Sequence, residues 1–426
     1  LVEKLAKLSQ VQSIKDIPQL THALFPGTHC PLMGAAMAVG GIKDSLIVVV
    51  GTDECTYYTK SMTIHSEKFG GIDGRCVSVV LDDHDVTFGS AEKVQEAFKE
   101  IIEEYRPQCV FLVTTCVIEI IGDDFDAISE GLSKLYGIPV LPVHTEHFKC
   151  EDHLPGLERT ITVCAEMMKS CDCENSVNLL GQRMGDFATT ELYAMLQKAG
   201  VKIGLQLPCG CSVDDIKNAA AAKVNIVVND IALPLAQKMQ EKFGIPYVYF
   251  NKFVIPEKIY EAYKNLFVYL DLELPGELEG LYQNAREKIE KNKGELEGIT
   301  YIYGNTPYAV FEMNCFLSSL GMVPQVIQTN RYTEADEPYA KEILQYTDPY
   351  VCKAANIAPL QYVYDVLSPY LYLGHEFGNR LRQKGIAIVD SDRASGMLGF
   401  EVTGYLLQQL VKSVREAKEY RKELGL

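Results

Sequence analysis

VFLVTTCVIEIIGDDFDAI, residues 110–128, opens on an apolar, β-branched run, passes through two threonines to Cys116, and turns at Gly-Asp-Asp into a helical pattern. Val110, Phe111, Leu112 and Val113 show no polar alternation, which is the pattern of a strand buried on both faces. Cys116 therefore stands at the carboxyl end of a parallel strand, the edge at which open α/β sheets build their sites. Two more cysteines hold comparable places. Cys55 follows the run Leu46 to Val50 by a short polar loop, Gly51 to Glu54, and Cys30 lies in FPGTHCPLMGA (25–35), a Pro/Gly loop entering a small-residue helix.

Outward from this stretch, one phrase recurs: a polar-faced helix, a Gly-Ile turn, then a short apolar strand. It reads KLYGIPVLPV (134–143), EKFGIPYVYF (241–250) and RQKGIAIVD (382–390). Each is preceded by another apolar strand, VFLVTTC, VNIVVND (224–230) and YLYLG (370–374). Earlier strands are expected at LIVVVG and CVSVVL, at VNLLG and VKIGLQ, and at ITYIYG and VPQVIQ. Strands alternating with helices of this length predict parallel βαβ sheets. The expected fold is α/β, three Rossmann-like parallel-sheet domains around a central cleft. The domains are placed at 27–174, 175–298 and 299–426. A preceding arm, 1–26, carries a short amphipathic helix marked by Leu5, Leu8 and Val11. Charged residues 284–297 form a helix between the last two domains, and 399–424 a long final helix.

With 426 residues, 47% hydrophobic and 23% charged, the chain has the composition of a soluble protein, and its apolar runs are too short to span a bilayer. No secretory pattern is read at its start. A net charge of −17 argues against nucleic acid or an anionic membrane surface as partner, and favours a docking partner with a basic face. Thirteen cysteines do not suit a disulfide framework; they indicate a reducing, cytoplasmic setting. Cys109, Cys164 and Cys315 fall in apolar or helical patterns and read as small core residues.

Thiols on three loops at one sheet edge suit iron–sulfur, zinc or a catalytic thiol. Structural zinc takes paired ligands on tight knuckles, whereas gaps of 25 and 61 residues separate Cys30, Cys55 and Cys116. A catalytic cysteine needs a base, and His29 is the one neighbour on offer. A cubane takes four ligands; three from this chain leave the fourth to another. Packing cysteines are the competing account.

HCPLMGAAMAV (29–39), VVVGTDECTYYTK (48–60), VTFGSAEKVQEAFKEIIEEYRP (86–107) and TTCVIEIIGDDFDAI (114–128) together resemble the component 1 family of nitrogenase-like proteins. That family includes nitrogenase subunits, cofactor scaffolds, dark-operative protochlorophyllide reductase and the F430 cyclase. The resemblance implies that Cys30, Cys55 and Cys116 are ligands of an interfacial 4Fe–4S or P-type cluster. It also implies a second metallocofactor or a substrate in the cleft, a homodimer or a heterotetramer with a paired component 1 chain, and transient docking of an ATP-hydrolysing iron protein. The chain has no G-x-x-x-x-G-K-[ST] loop and no G-x-G-x-x-G turn of its own. Two departures stand out. Matching places the cofactor cysteine of the dinitrogen-reducing α subunit near Val228–Asn229 and its histidine near Val389–Asp390, and neither ligand is there. Glu54, before Cys55, replaces a usual glycine. The expected role is a reductase subunit; the alternative is a scaffold for a metallocluster without turnover.

Other residues have weaker claims. Cys209 and Cys211 form a C-x-C at a strand end, suited to metal or redox pairing. Cys171 and Cys173 read as exposed linker thiols. His375 and Asp390 are the candidate proton donors. His144, His147, Cys150 and His153 fall in a gapped run read as a hydrogen-bonded loop, and Asp123 and Asp124 read as a helix start.

Overall fold

The computed structural model describes residues 2–20, 29–64, 74–150, 152–183, 185–304, 306, 308–353 and 357–426. Residues 25–28 of the loop before Cys30, and 21–26 of the arm, lie outside the described residues.

The first sheet is parallel, in the order Cys76–Val80, Ser45–Gly51, Cys109–Thr114, Val140–Val143. Its two central strands are buried along their whole length, as their uniform apolar runs require. Each fully buried Val, Leu, Ile or Phe contributes about 1.5–3 kcal/mol by leaving water. The second sheet is also parallel, in the order Tyr247–Tyr249, Ala222–Val227, Glu174–Gln182, Lys202–Pro208. The third has six strands: Ala6–Lys7, Tyr350–Cys352, Val323–Gln328, Thr300–Tyr303, Leu371–Leu373 and Ala387–Val389. All but the first of these run parallel.

Three features differ from expectation. The arm does not hold an amphipathic helix. Residues 2–16 form 3₁₀ turns around a two-residue strand that pairs antiparallel with Tyr350 and Val351. Leu5, Leu8 and Val11 are buried all the same, because the arm lies against the third sheet. Residues 53 and 54 are helical, so Cys55 sits in the first turn of helix Asp53–Ile64 rather than after a loop. Finally, Ile42–Lys43 pairs in parallel with Cys211–Ser212, tying the first sheet's region to the second.

The first two sheets share one apolar core, in which helices Pro31–Gly40 and Leu154–Val163 lie between them. The small residues of PLMGAAMAVG have a steric cause. A Cβ on Gly34 would come within 1.9 Å of the His153 carbonyl oxygen, and one on Gly156 within 1.8 Å of the Pro31 oxygen. The two helices cross at backbone contact, and only glycine permits it. The final helix runs from Glu401 to Leu424, buries Leu406, Leu410 and Val414 against the third sheet, and ends at Gly425 in the left-handed region. No helix among the described residues is long and apolar enough to cross a membrane.

Candidate functional site

The three thiols of the first sheet's region all stand at helix starts. Cys30 is the residue before Pro31–Gly40, Cys55 is third in Asp53–Ile64, and Cys116 opens Cys116–Ile121 behind Thr115. The register of the sheet brings these starts together. Gly51 ends its strand beside Thr115, whose hydroxyl donates to the Val50 carbonyl at 2.9 Å. A Cβ at position 51 would lie 2.1 Å from that hydroxyl oxygen, so glycine is required for the contact.

Cys30 and Cys55 line one cavity of about 250 Å³ with His29, Met33, Glu54 and Tyr58. Cys116 faces the same two thiols. Its pKa is pushed up first by burial, then by the neighbouring Cys55, with a smaller contribution from Cys30. All three are half-buried. Among the described residues the one group of His, Cys, Asp or Glu whose ligand atoms all lie within 4.8 Å of one another is Asp82, His84 and Asp85. The three sulfurs are thus spread more widely than the ligands of a single tetrahedral zinc ion at ~2.3 Å per bond. A polynuclear cluster, with sulfurs on separate metal atoms, does not require them that close.

The remaining cysteines have a different character. Cys76, Cys109, Cys164, Cys211, Cys315 and Cys352 are buried. Burial pushes the thiols of Cys109, Cys211, Cys315 and Cys352 up to about 12 and that of Cys164 well above its ordinary value. Cys171 and Cys173 are exposed. The C-x-C pair is divided: Cys211 packs in the shared core, and the Cys209 thiol donates to the Arg183 carbonyl at 3.1 Å.

The loop after the first sheet is organised by a residue that pattern reading passes over. The Glu119 carboxylate, one helical turn beyond Cys116, accepts from the hydroxyls of Thr114 and Thr145 at 2.9 Å each. It also accepts from the backbone N–H of Glu146, and from that of His147 at 3.0 Å. His144 meets Asp126 at 3.2 Å, and Arg159 donates to the Thr145 carbonyl and the Glu146 carboxylate at 2.5 Å each. His153 is held neutral, its pKa lowered to about 4 by burial and then by Arg183. Asp124 caps helix Phe125–Tyr136, while Asp123 accepts from the backbone and hydroxyl of Ser90, at 2.7 and 2.5 Å. Glu119, Asp123, His144, Glu146 and Phe148 border a second cavity, of about 370 Å³.

At the second and third sheets, Asn229 caps its own turn through the Ile231 N–H, and Val389 is a buried strand residue. Asp390 is exposed and accepts from the Asp392 N–H at 3.1 Å. His375 is 68% exposed and lies 3.5 Å from Asp392. Asp82 and Asp85 form a helix capping box closed by Lys93 at 2.9 and 2.6 Å, and the His84 N–H donates to Asp82 at 2.9 Å.

Three parallel sheets in series, with thiols assembled beside the carboxyl edge of the first, place the chain among multi-sheet Rossmann-like α/β proteins. The chain belongs to the nitrogenase component 1 type oxidoreductase family, whose family model matches residues 30–415. It is 30% identical over 224 residues to the nitrogenase iron-molybdenum cofactor biosynthesis protein NifE of Clostridium pasteurianum, covering 51% of this chain and 49% of that one. It is 25% identical to NifE of Rippkaea orientalis over 74% of this chain and 69% of the relative. To the nitrogenase molybdenum-iron protein alpha chain of Methanosarcina barkeri it is 24% identical, over 74% and 62% respectively. The chain thus spans about half the length of the Clostridium relative. The solved structure of nitrogenase Cp1 at pH 6.5 superposes with a TM-score of 0.76 over 96% of each chain at 14% identity, which establishes the shared fold.

Proposed function

We propose that the chain is a component 1-type reductase subunit whose Cys30, Cys55 and Cys116 hold an iron–sulfur cluster at an interface with a second subunit. The observation that carries this reading is the convergence of three half-buried thiols from three helix starts, spread too widely for one ion. When bound, the group supplies one-electron transfer between an ATP-hydrolysing iron protein and a substrate or metallocofactor lying between the sheets. The chain's own residues hold and shield it: three helix starts present the thiols, and Thr115 and Gly51 fix the position of Cys116. Three thiols leave a fourth position to a paired chain, a second copy or a sister. Tyr57, Tyr58 and Ile120, 66–72% exposed beside Cys55 and Cys116, offer that chain an apolar surface.

Adding reduced iron protein and MgATP to anaerobically prepared protein tests the reading. The cluster's visible absorption should bleach in an ATP-dependent manner; an ATP-independent or absent response overturns the reductase role.

A second reading, a scaffold that receives a metallocluster and passes it on, is favoured by one feature. The positions matched to the α-subunit cofactor ligands, near Val228–Asn229 and Val389–Asp390, carry no cysteine or histidine. The NifE relatives are named for cofactor biosynthesis. Transfer of bound metal to an acceptor without substrate reduction would select it.

A further inference from the structure

Two cations at the carboxyl edge of the second sheet have no role in the reading above. Arg183 follows strand Glu174–Gln182, and Lys252 follows strand Tyr247–Tyr249. In the sheet these strands flank Ala222–Val227, so the two residues stand on either side of Asn229. The turn Arg393–Gly396, from the third sheet's region, closes over them. The Lys252 ammonium donates to the Ser395 carbonyl, and the Gln182 amide donates to the Gly396 carbonyl at 3.4 Å.

Among the described residues neither cation forms a salt bridge; Asp152 acts on Arg183 only as a neighbouring charge, behind burial as an influence on it. Lys252 is buried, with a neutral carbonyl as its hydrogen-bond partner. One guanidinium nitrogen of Arg183 is buried without any hydrogen-bond partner. The nearby acidic groups direct their hydrogen bonds to other donors. Asp152 accepts from the Leu154 N–H at 2.9 Å, Asp230 accepts from the Tyr249 hydroxyl, and the Cys209 thiol donates to the Arg183 carbonyl. His153 adds no negative charge. Burial, with Arg183 second, lowers the Lys252 ammonium to about 7. A guanidinium has no such escape, because it does not lose its proton in proteins. An unpaired buried charge is strongly unfavourable, and two of one sign more so.

We infer that Arg183 and Lys252 form a binding site for an oxyanion, a carboxylate or phosphate group borne by a small molecule, at the carboxyl edge of the second sheet. The Arg183 fork suits two acceptor oxygens of one planar or tetrahedral anion, and Lys252 adds a point charge beside it. The carboxyl edge is where parallel sheets take their ligands. The site lies on the second sheet and needs no metal on the thiols of the first, so it adds a substrate class to the proposed function without depending on it.

Thermal melting and calorimetric titration with sodium succinate and with inorganic phosphate, against chloride at equal ionic strength, test the site and separate the two anion types. At least one acid should bind saturably and raise the melting midpoint beyond the chloride control. Arg183→Gln and Lys252→Met should each weaken that binding at least tenfold. Both variants should melt at or above the wild-type midpoint in acid-free buffer, since each removes a desolvated cation that no salt bridge holds; this also shows that they fold. Cys30→Ala should bind the acid with unchanged affinity. Identical responses to succinate, phosphate and chloride would overturn the inference, as would full affinity in both charge variants. Loss of binding in Cys30→Ala would overturn the site's independence from the thiols.

Discussion

The Glu119 carboxylate accepts the backbone N–H of His147 at 3.0 Å, joining the helix that Cys116 opens to the loop leaving the last strand of the first sheet. With the Glu146 N–H and the hydroxyls of Thr114 and Thr145 on the other oxygen, one side chain satisfies four donors. Glu119→Ala leaves these donors to find water or remain unpaired, at a cost of about 2–4 kcal/mol. Amide exchange should accelerate at residues 145–147 while the second and third sheets keep their protection. Uniform acceleration across the chain, or none at this loop, would show that Glu119 does not hold it.

Gly51 is a steric requirement of the Cys116 position. Gly51→Ala places a methyl group against the Thr115 hydroxyl oxygen and should cost about 1–3 kcal/mol by overpacking. Thr115→Ala removes the Oγ1 and Cγ2 overlaps, so Gly51→Ala should be less costly in that background. The coupling in a double-mutant cycle should be at least about 0.5 kcal/mol. Additive effects in chemical denaturation would contradict the contact.

The thiols should sort by position under alkylation. In native, iron-free protein at pH 8, iodoacetamide should label Cys171 and Cys173 first, being exposed. Cys116 should follow more slowly, because burial and its neighbouring thiols keep it protonated. Cys109, Cys164, Cys211, Cys315 and Cys352 should stay unlabelled until denaturant is added. Peptide mass spectrometry reads the order, and native labelling of Cys109 or Cys164 would contradict the packing.

His153 gives an acid-side dependence whose sign follows from its burial. Its folded pKa is about 4 against an ordinary 6.5, so the unfolded chain binds the additional proton between these values. The stability from His153 is complete above about pH 6.5 and is lost as pH falls through about 4. The full loss is about 3 kcal/mol at 1.36 kcal/mol per unit. His153→Gln should flatten the denaturation midpoint over that window. An unchanged pH profile would show that the ring is solvated.

Much of this was legible in the chain, for identifiable reasons. Val110–Val113 and Leu46–Val50 are long, uniformly apolar runs, and burial on both faces leaves few other outcomes for them. The Gly-Ile turns recur because a left-handed glycine follows each helix, capping it at Gly137 and Gly244 and standing in the turn after Gly378–Arg382 at Gly385. Ala6–Lys7 was not legible. A two-residue strand is set by its partner, Tyr350–Val351, while the spacing of Leu5, Leu8 and Val11 fits a helix equally well. The thiol trio announced itself through the strand ends. Glu119, Arg183 and Lys252 did not, because a single charge in a polar turn carries no periodic signal and its burial is decided by segments up to some 200 residues away. The departure of Asn229 from the α-subunit pattern was readable, but not the cations on either side of it.

Iron and EPR measurements on anaerobically reconstituted protein test the central claim most directly. The account predicts an iron–sulfur signal in the wild type, and loss of both iron and signal in Cys30→Ala, with Cys109→Ala retaining both. Iron content and signal unchanged in Cys30→Ala would contradict it.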